Sequence, residues 1–192
     1  RAKQARAVAH VMHWVGEHPA DEKLLVFAHH QEMLDAVSDA LKQRRVATMR
    51  IDGRTTAKKR QALVESFQDS RSPSSPRVAL LSITAAGQGI TLTAAHNVIF
   101  AELSWTPSEM EQCVDRVHRL GQNAAAVNID NLVYGPFDDE VWSILKNKQR
   151  VLDESGVGMQ LAHTSSPPST PAPSPFASPR TPVCPPAACS DG

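Results

Sequence analysis

The sequence has 192 residues, 41% of them hydrophobic and 21% charged, enough for one sizeable core and too few for two large domains. It contains no apolar run near the roughly 18 residues that a membrane helix needs, and three cysteines exclude a disulfide scaffold. Lys+Arg and Asp+Glu number 20 each, so the formal charge is zero and any contact with nucleic acid or an anionic membrane has to be a local patch.

The chain opens at Arg1 with neither a Met nor a charged-then-apolar leader, which reads as a segment of something larger. Short apolar runs then alternate with helical periodicity. Val8, Val11, Met12 and Val15 keep helical spacing before Leu24 to Ala28, a run apolar throughout, as in a strand covered on both faces. A helix with the stripe Met33, Leu34, Val37, Ala40 and Leu41 follows, then Val46 to Ile51, which alternates like a strand near a sheet edge. Thr55 or Thr56 can cap a helix whose inner face is Leu63, Val64 and Phe67. A Ser/Pro loop, 70–76, leads to a strand over Val78 to Ile83, and further strands are expected over Asn97 to Ala101 and Val127 to Tyr134. Between those two, Pro107 suits the first turn of a helix running to about Leu120. The last helix spans Asp138 to Leu152 and presents Val141, Ile144, Leu145, Lys148 and Leu152, with Trp142 packing as well. The fold class is therefore α/β, a parallel sheet with right-handed crossovers whose functional loops lie at the carboxyl ends of the strands.

From His163 onward the composition changes. Nine of the 14 prolines fall there, with Arg180 and Asp191 the sole charges, too little apolar surface to offset the entropy of ordering. The expected organisation is a folded unit over 1–156 and a disordered Pro/Ser/Ala-rich tail over 157–192. Cys184 and Cys189 lie in that tail without a nearby His or second Cys pair, so they read as free thiols and no metal site is expected.

Three segments can carry chemistry. In the helix after Pro107, Met110, Cys113, Val114 and Val117 form one stripe and Gln112, Arg116 and Arg119 another, roughly 150° away at about 100° per residue. Two outward guanidiniums one turn apart make a clamp for phosphate oxygens; a solvated face paired with Glu109, Glu111 or Asp115 is the alternative. The stretch Thr84 to Leu92 places Gly87 and Gly89 just after a strand, where the backbone can approach an anion closely or merely turn. Arg50-Ile51-Asp52-Gly53-Arg54-Thr55 puts two Arg and a Thr beside a helix start, which favours anions and is equally consistent with a capped turn.

Taken in order, Leu-Val-Phe-Ala-His-His (25–30), Arg-Ile-Asp-Gly-Arg-Thr (50–55), Leu-Leu-Ser-Ile-Thr-Ala-Ala-Gly-Gln-Gly-Ile (80–90), Glu-Leu-Ser-Trp-Thr-Pro (102–107) and Gln-Cys-Val-Asp-Arg-Val-His-Arg-Leu-Gly-Gln (112–122) resemble one family. They look like the second RecA-like lobe, the helicase C-terminal lobe, of the Swi/Snf-type ATPases in helicase superfamily two. The resemblance covers about Arg1 to Gly156. Phe-Ala-Glu-Leu-Ser-Trp-Thr-Pro and Ser-Ile-Thr-Ala-Ala look most like the HepA-related annealing helicases; nucleosome remodellers commonly carry Asn where this sequence has Thr91.

The resemblance implies that Arg119 is an arginine finger and Arg116 its companion, reaching across a cleft to an ATP held with Mg mainly by an N-terminal RecA-like lobe, with Gln112 opening the motif. It implies that Gly87, Gly89 and the Thr84 region link that nucleotide cleft to DNA. His29, Arg50, Gly53 and Thr55 match positions near the tracking-strand phosphates, and Trp105 matches a DNA-facing aromatic, where the residue type alone would equally suit core packing. No G-x-x-x-x-G-K-[ST] run and no strand ending in paired acidic residues occurs in the chain, so the segment by itself is expected to be inactive. The implied whole is a nuclear DNA translocase or annealing helicase acting on forked or duplex DNA in replication and repair, with no membrane partner. The alternatives are a nucleosome-remodelling lobe, a non-catalytic docking module and an RNA helicase, the last fitting Trp105 and the Arg-Val-His-Arg block poorly.

Overall fold

The computed structural model describes residues 2–86, 89–119, 121, 122, 124 and 126–154. Five strands, β1 (Leu24–Ala28), β2 (Thr48–Ile51), β3 (Val78–Ser82), β4 (Asn97–Phe100) and β5 (Asn128–Asn131), form one sheet in the order β2-β3-β1-β4-β5. Every pairing is parallel. The helices are α1 (Ala2–Glu17), α2 (Gln31–Gln43), α3 (Ala57–Gln68), α4 (Ile83–Ala86), α5 (Pro107–Val114) and α6 (Pro136–Glu154).

Because strand side chains alternate, the register sorts the core into two layers. Met49, Ala79, Leu25, Val98 and Ile129 lie in one row across the sheet, and Ile51, Leu81, Phe27 and Phe100 in the row two residues on. These face α3, α4, α5 and α6 through Val64, Phe67, Ile83, Met110, Cys113 and Val141. Phe27 and Phe100 stack there at 5.2 Å, each fully buried and worth about 1.5–3 kcal/mol relative to exposure. The other face carries Leu24, Val26, Val78, Leu80 and Ile99 against α1 and α2. β1 and β3 are buried at every position, as the uninterrupted apolar run of β1 required, while β2 at the edge alternates.

Five expectations are corrected in detail. The stripe of α1 that reaches the sheet is Ala7, Val11 and Trp14, with Val8, Met12 and Val15 only half-buried. The second strand starts at Thr48 and the fifth is confined to Asn128–Asn131. The last helix begins at Pro136, two residues before Asp138, because Asp138 turns back to accept the Tyr134 amide at 3.0 Å and Pro is at home in a first turn. The short α4 lies where the sequence reading placed the end of a strand and a glycine turn. Of the two threonines, Thr56 is the cap, accepting the Lys59 amide. The proposed boundary at 156 and the Pro-rich tail with Cys184 and Cys189 lie outside the described residues.

Candidate functional site

The crossover through α2 carries the chain from β1 toward β2, whereas the connections after β3 and β4 run toward the opposite edge. The carboxyl ends of β1 and β4 therefore form the topological switch point, where open α/β sheets expose a crevice. Glu102, just beyond β4 and only 9% exposed, reaches across it. Its Oε2 accepts the amides of His29 at 2.9 Å and His30 at 2.8 Å, and its Oε1 lies 3.0 Å from His30 Nδ1. His30 is the N-cap of α2 and offers no side-chain cap of its own, so this carboxylate from another strand supplies the negative charge that a helix start favours. The amides of His29 and His30 are thus occupied, and His29 can contact a ligand only through its exposed ring, which stands edge-on to His30 at 5.2 Å.

Trp105 lies beside this crevice and is 54% exposed, which excludes the core reading; Phe137 at the start of α6 is 64% exposed. The two rings meet edge to face, centroids 5.7 Å apart, and Lys148 Nζ donates to the Trp105 carbonyl at 3.1 Å. The cleft between them and His29, His30 and Glu102 holds about 90 Å³. Sequence reasoning missed Glu102 and Phe137. Phe137 stood just outside the helix as first bounded, and no pattern at Glu102 announced its partners seventy residues away.

At the other end of the sheet, the turn after β2 is built on Asp52. Its Oδ1 accepts the Arg54 amide at 3.0 Å, its own amide donates to Thr55 Oγ1 at 3.1 Å, and the Thr55 amide donates to the Asp52 carbonyl at 3.0 Å. Gly53 sits at the tip in open space. Arg50, grouped by its sequence context with these residues, braces α2 instead. Its Nε donates to Asp52, Nη1 to Asp35 at 2.5 Å and Nη2 to Gln31 at 2.6 Å. Burial works against its charge, but the carboxylates of Asp35 and Asp52 outweigh it and raise its pKa.

The nucleotide-type candidates lie on a second locus. Ser82 and Thr84 hydroxyls are 2.9 Å apart at the exit of β3, with Thr84 exposed; Gly87 lies outside the described residues, and Gly89 takes φ +73°. The connection ends at Thr91 and Leu92, which are laced to the segment after α5. The Leu92 amide donates to the Arg116 carbonyl at 2.8 Å, Arg119 Nη1 to Thr91 Oγ1 at 3.1 Å, and Gln122 Nε2 to the Ala95 carbonyl at 2.8 Å. The helix is shorter than its sequence suggested. It ends at Val114 rather than near Leu120, where the backbone tightens into the i→i−3 bonds Arg116 N to Cys113 O and Val117 N to Val114 O.

Arg116 and Arg119 therefore project from a turn, not from two successive turns of helix, while Gln112 remains on α5 and exposed. Met110, Cys113 and Val117 are buried and Val114 half-buried, as the apolar stripe required. Burial pushes the Cys113 thiol up to about 12, with Glu109 adding to the shift and Arg116 opposing it. Arg119 is exposed, and Arg116 Nε is buried without a hydrogen-bond partner among the described residues. No cluster of three or more His, Cys, Asp or Glu suited to a metal occurs among the described residues.

Residues 4–121 match the family described as helicase conserved C-terminal domain. The chain belongs to this family. It is a C-terminal lobe of the Swi/Snf type, with the RecA-like α/β fold. It is 43% identical over 153 residues to the Drosophila melanogaster SWI/SNF-related matrix-associated actin-dependent regulator of chromatin subfamily A-like protein 1, covering 78% of this chain and 20% of that protein. It is 46% identical over 130 residues to the human DNA annealing helicase and endonuclease ZRANB3, covering 67% of this chain and 12% of that protein. The chain thus spans a fifth or less of the length of these relatives. Among solved structures it is similar to the C-terminal part of the Fun30 ATPase domain, with a TM-score of 0.60 and 31% identity over 65% of this chain and 39% of that one. No helix among the described residues is long and apolar enough to cross a membrane.

Proposed function

We propose that this lobe is the carboxy-terminal half of a DNA-dependent ATPase motor that moves on duplex or forked DNA and rewinds it, acting in the nucleus in replication and repair. The observation that carries the reading is the single connection from β3 to β4. It starts with the exposed Thr84 at the carboxyl edge that bears His29 and Trp105, and it ends hydrogen-bonded to both Arg116 and Arg119. The connection thus begins at the surface offered to DNA and ends against the Arg116 backbone carbonyl and the Arg119 guanidinium, the latter offered to nucleotide phosphates. The relatives named annealing helicase and chromatin regulator support the same reading.

In it, DNA lies across the carboxyl edge, and ATP with Mg is held mainly by an N-terminal RecA-like lobe of the same protein. Arg119, engaged through Nη1 alone among the described residues, keeps the rest of its fork for phosphate oxygens, with Arg116 beside it as a second positive charge. The bound nucleotide supplies the bond that is broken; this chain supplies positive charge toward it. Alone, the chain lacks the P-loop and is not expected to turn over ATP.

Arg119→Ala in the two-lobed protein tests this. The side chain is exposed and fills no cavity, so the melt should stay within about 1 kcal/mol of wild type. DNA-stimulated kcat should fall by about 10³ or more, the effect of an arginine finger, with DNA affinity little changed. Arg119→Lys should recover little, since an ammonium lacks the planar fork. Wild-type turnover in Arg119→Ala would sink the assignment.

A further inference from the structure

We propose that Ser72, in the loop between α3 and β3, is a phosphorylation site for a proline-directed protein kinase, one that accepts a serine or threonine only where proline follows. Proline brings no N–H that the kinase would leave unsatisfied, and its ring fits an apolar pocket, so the proline has to be free to enter that pocket. Three Ser-Pro or Thr-Pro dipeptides fall among the described residues, Ser72-Pro73, Ser75-Pro76 and Thr106-Pro107. Pro76 and Pro107 are buried, whereas Pro73 is exposed. The acceptors differ in the same sense. Ser75 Oγ donates to the Ser66 carbonyl at 2.8 Å and accepts from Lys23 Nζ at 2.6 Å. Lys23 is buried and donates also to the Phe67 carbonyl, so the Ser75 hydroxyl is fastened to the body of the fold. Ser72 Oγ, among the described residues, meets only the Ser74 hydroxyl, at 2.9 Å and on the surface.

The loop presents this serine at a turn. The Ser75 amide donates to the Ser72 carbonyl at 3.0 Å, with Pro73 and Ser74 exposed between them, the order that a turn beginning Ser-Pro favours. Straightening 71–74 into the extended form that a kinase cleft holds breaks that bond and the one from the Arg71 amide to Asp69, and it leaves α3 and β3 intact. In the transfer, Ser72 Oγ attacks the γ-phosphorus of an ATP bound to the kinase, the bond from that phosphorus to the leaving ADP breaks, and the hydroxyl proton passes to the catalytic base of the kinase. The product carries about −1.5 to −2 charges. Arg71 beside it is exposed and has no carboxylate within ion-pair distance among the described residues, and Ser72 stands four residues past the end of α3 at Gln68, beyond the last turn in which the helix dipole would oppose an anion. The loop enters the amino end of β3, while Thr84 lies past its carboxyl end, five residues or about 16 Å away at about 3.3 Å per residue. The phosphate therefore stands on the edge opposite the candidate site, and the inference does not rest on the function proposed for that site.

The test incubates the complete protein with ATP and a proline-directed kinase of the cyclin-dependent class, beside a synthetic peptide spanning 69–80. Further Ser-Pro and Thr-Pro dipeptides lie between Ser166 and Pro182, outside the described residues, so the readout has to resolve the site: tandem mass spectrometry of the tryptic peptides that end at Arg77 and of the one that carries Thr106. In the folded protein the phosphate should stand on Ser72, with Ser75 and Thr106 unlabelled. In the free peptide, where no fold buries Pro76, both Ser72 and Ser75 should take phosphate. Pro73→Ala, which keeps the acceptor and removes the ring, should abolish labelling of Ser72, and Ser75→Ala should leave it in place. A folded protein unlabelled at Ser72 beside a labelled peptide overturns the proposal, because the loop is then held out of reach; a peptide unlabelled at Ser72 overturns it at the level of the motif. Equal labelling of Ser72 and Ser75 in the folded protein also overturns it, since exposure of the proline would not then select the site, as does labelling of Ser72 that survives Pro73→Ala.

Discussion

Glu102 carries a burden that can be weighed from its hydrogen bonds. Replacing it with Ala leaves the amides of His29 and His30 and the Nδ1 of His30 without their shared acceptor. Hydrogen bonds to a charged group are worth about 1.5–3 kcal/mol each, and the start of α2 also loses its anion. His29 and His30 are exposed, so water recovers part of this, and a net loss of about 3 kcal/mol is expected. For a domain of this size that lowers the melting temperature by about 6–12 °C. Glu102→Gln behaves differently. Its one carbonyl oxygen can take both amides while its Nε2 donates to His30 Nδ1 in the tautomer protonated at Nε2, so only the charge is lost. Charge-assisted bonds are roughly twice as strong as neutral ones, which puts the Gln variant about 1 kcal/mol below wild type, or about 2–4 °C. Scanning calorimetry of the three chains side by side decides the matter. Coincident melts for Ala and Gln would refute this division between charge and hydrogen bonds, and an Ala variant as stable as wild type would show that the carboxylate does not fasten β1 to β4.

Two further expectations follow from burial. Trp105→Ala should cost well under the 3–5 kcal/mol of a core aromatic, because the ring is 54% exposed, while weakening the coupling of hydrolysis to movement on DNA; a chemical melt beside a translocation assay checks it, and a core-sized loss would end the functional assignment. Cys113, pushed up to about 12 by burial, should resist alkylation at pH 8 in a chain whose Cys184 and Cys189 are replaced by Ala, reacting only when denaturant unfolds it. Its folded pKa lies above its ordinary value of 9.0, so its contribution to stability is complete below about pH 9 and is lost as pH rises toward 12; thermal melts across that range should decline accordingly.

The strands of the interior were legible because β1 and β3 are covered on both faces, which forces apolar residues at every position of β1 and at all of β3 but Ser82. The amphipathic faces of α2 and α3 were legible for the related reason that one stripe must meet the sheet. What escaped were features fixed by partners distant in sequence. The segment after α5 is fastened by the Leu92 amide, which donates to the Arg116 carbonyl from twenty-four residues away, and local propensity over 107–120 carries no trace of it. Arg50 looked like an anion ligand because Gly53 and Thr55 stand beside it, yet its nitrogens go to Asp35, Gln31 and Asp52, two of them on a helix that precedes it in sequence.

The same distinction bears on the site. His29, Gly53, Thr55, Thr84 and Trp105 share one edge because a parallel sheet brings the carboxyl ends of its strands together, so the alternation of elements already implied their proximity. Which part of each residue is available could not be read that way. At His29 the amide is spent on Glu102 and the ring remains; at Thr55 the hydroxyl is held by the Asp52 amide. A residue that fastens the fold and a residue that waits for a ligand can stand side by side in one motif, and only the count of satisfied hydrogen bonds separates them.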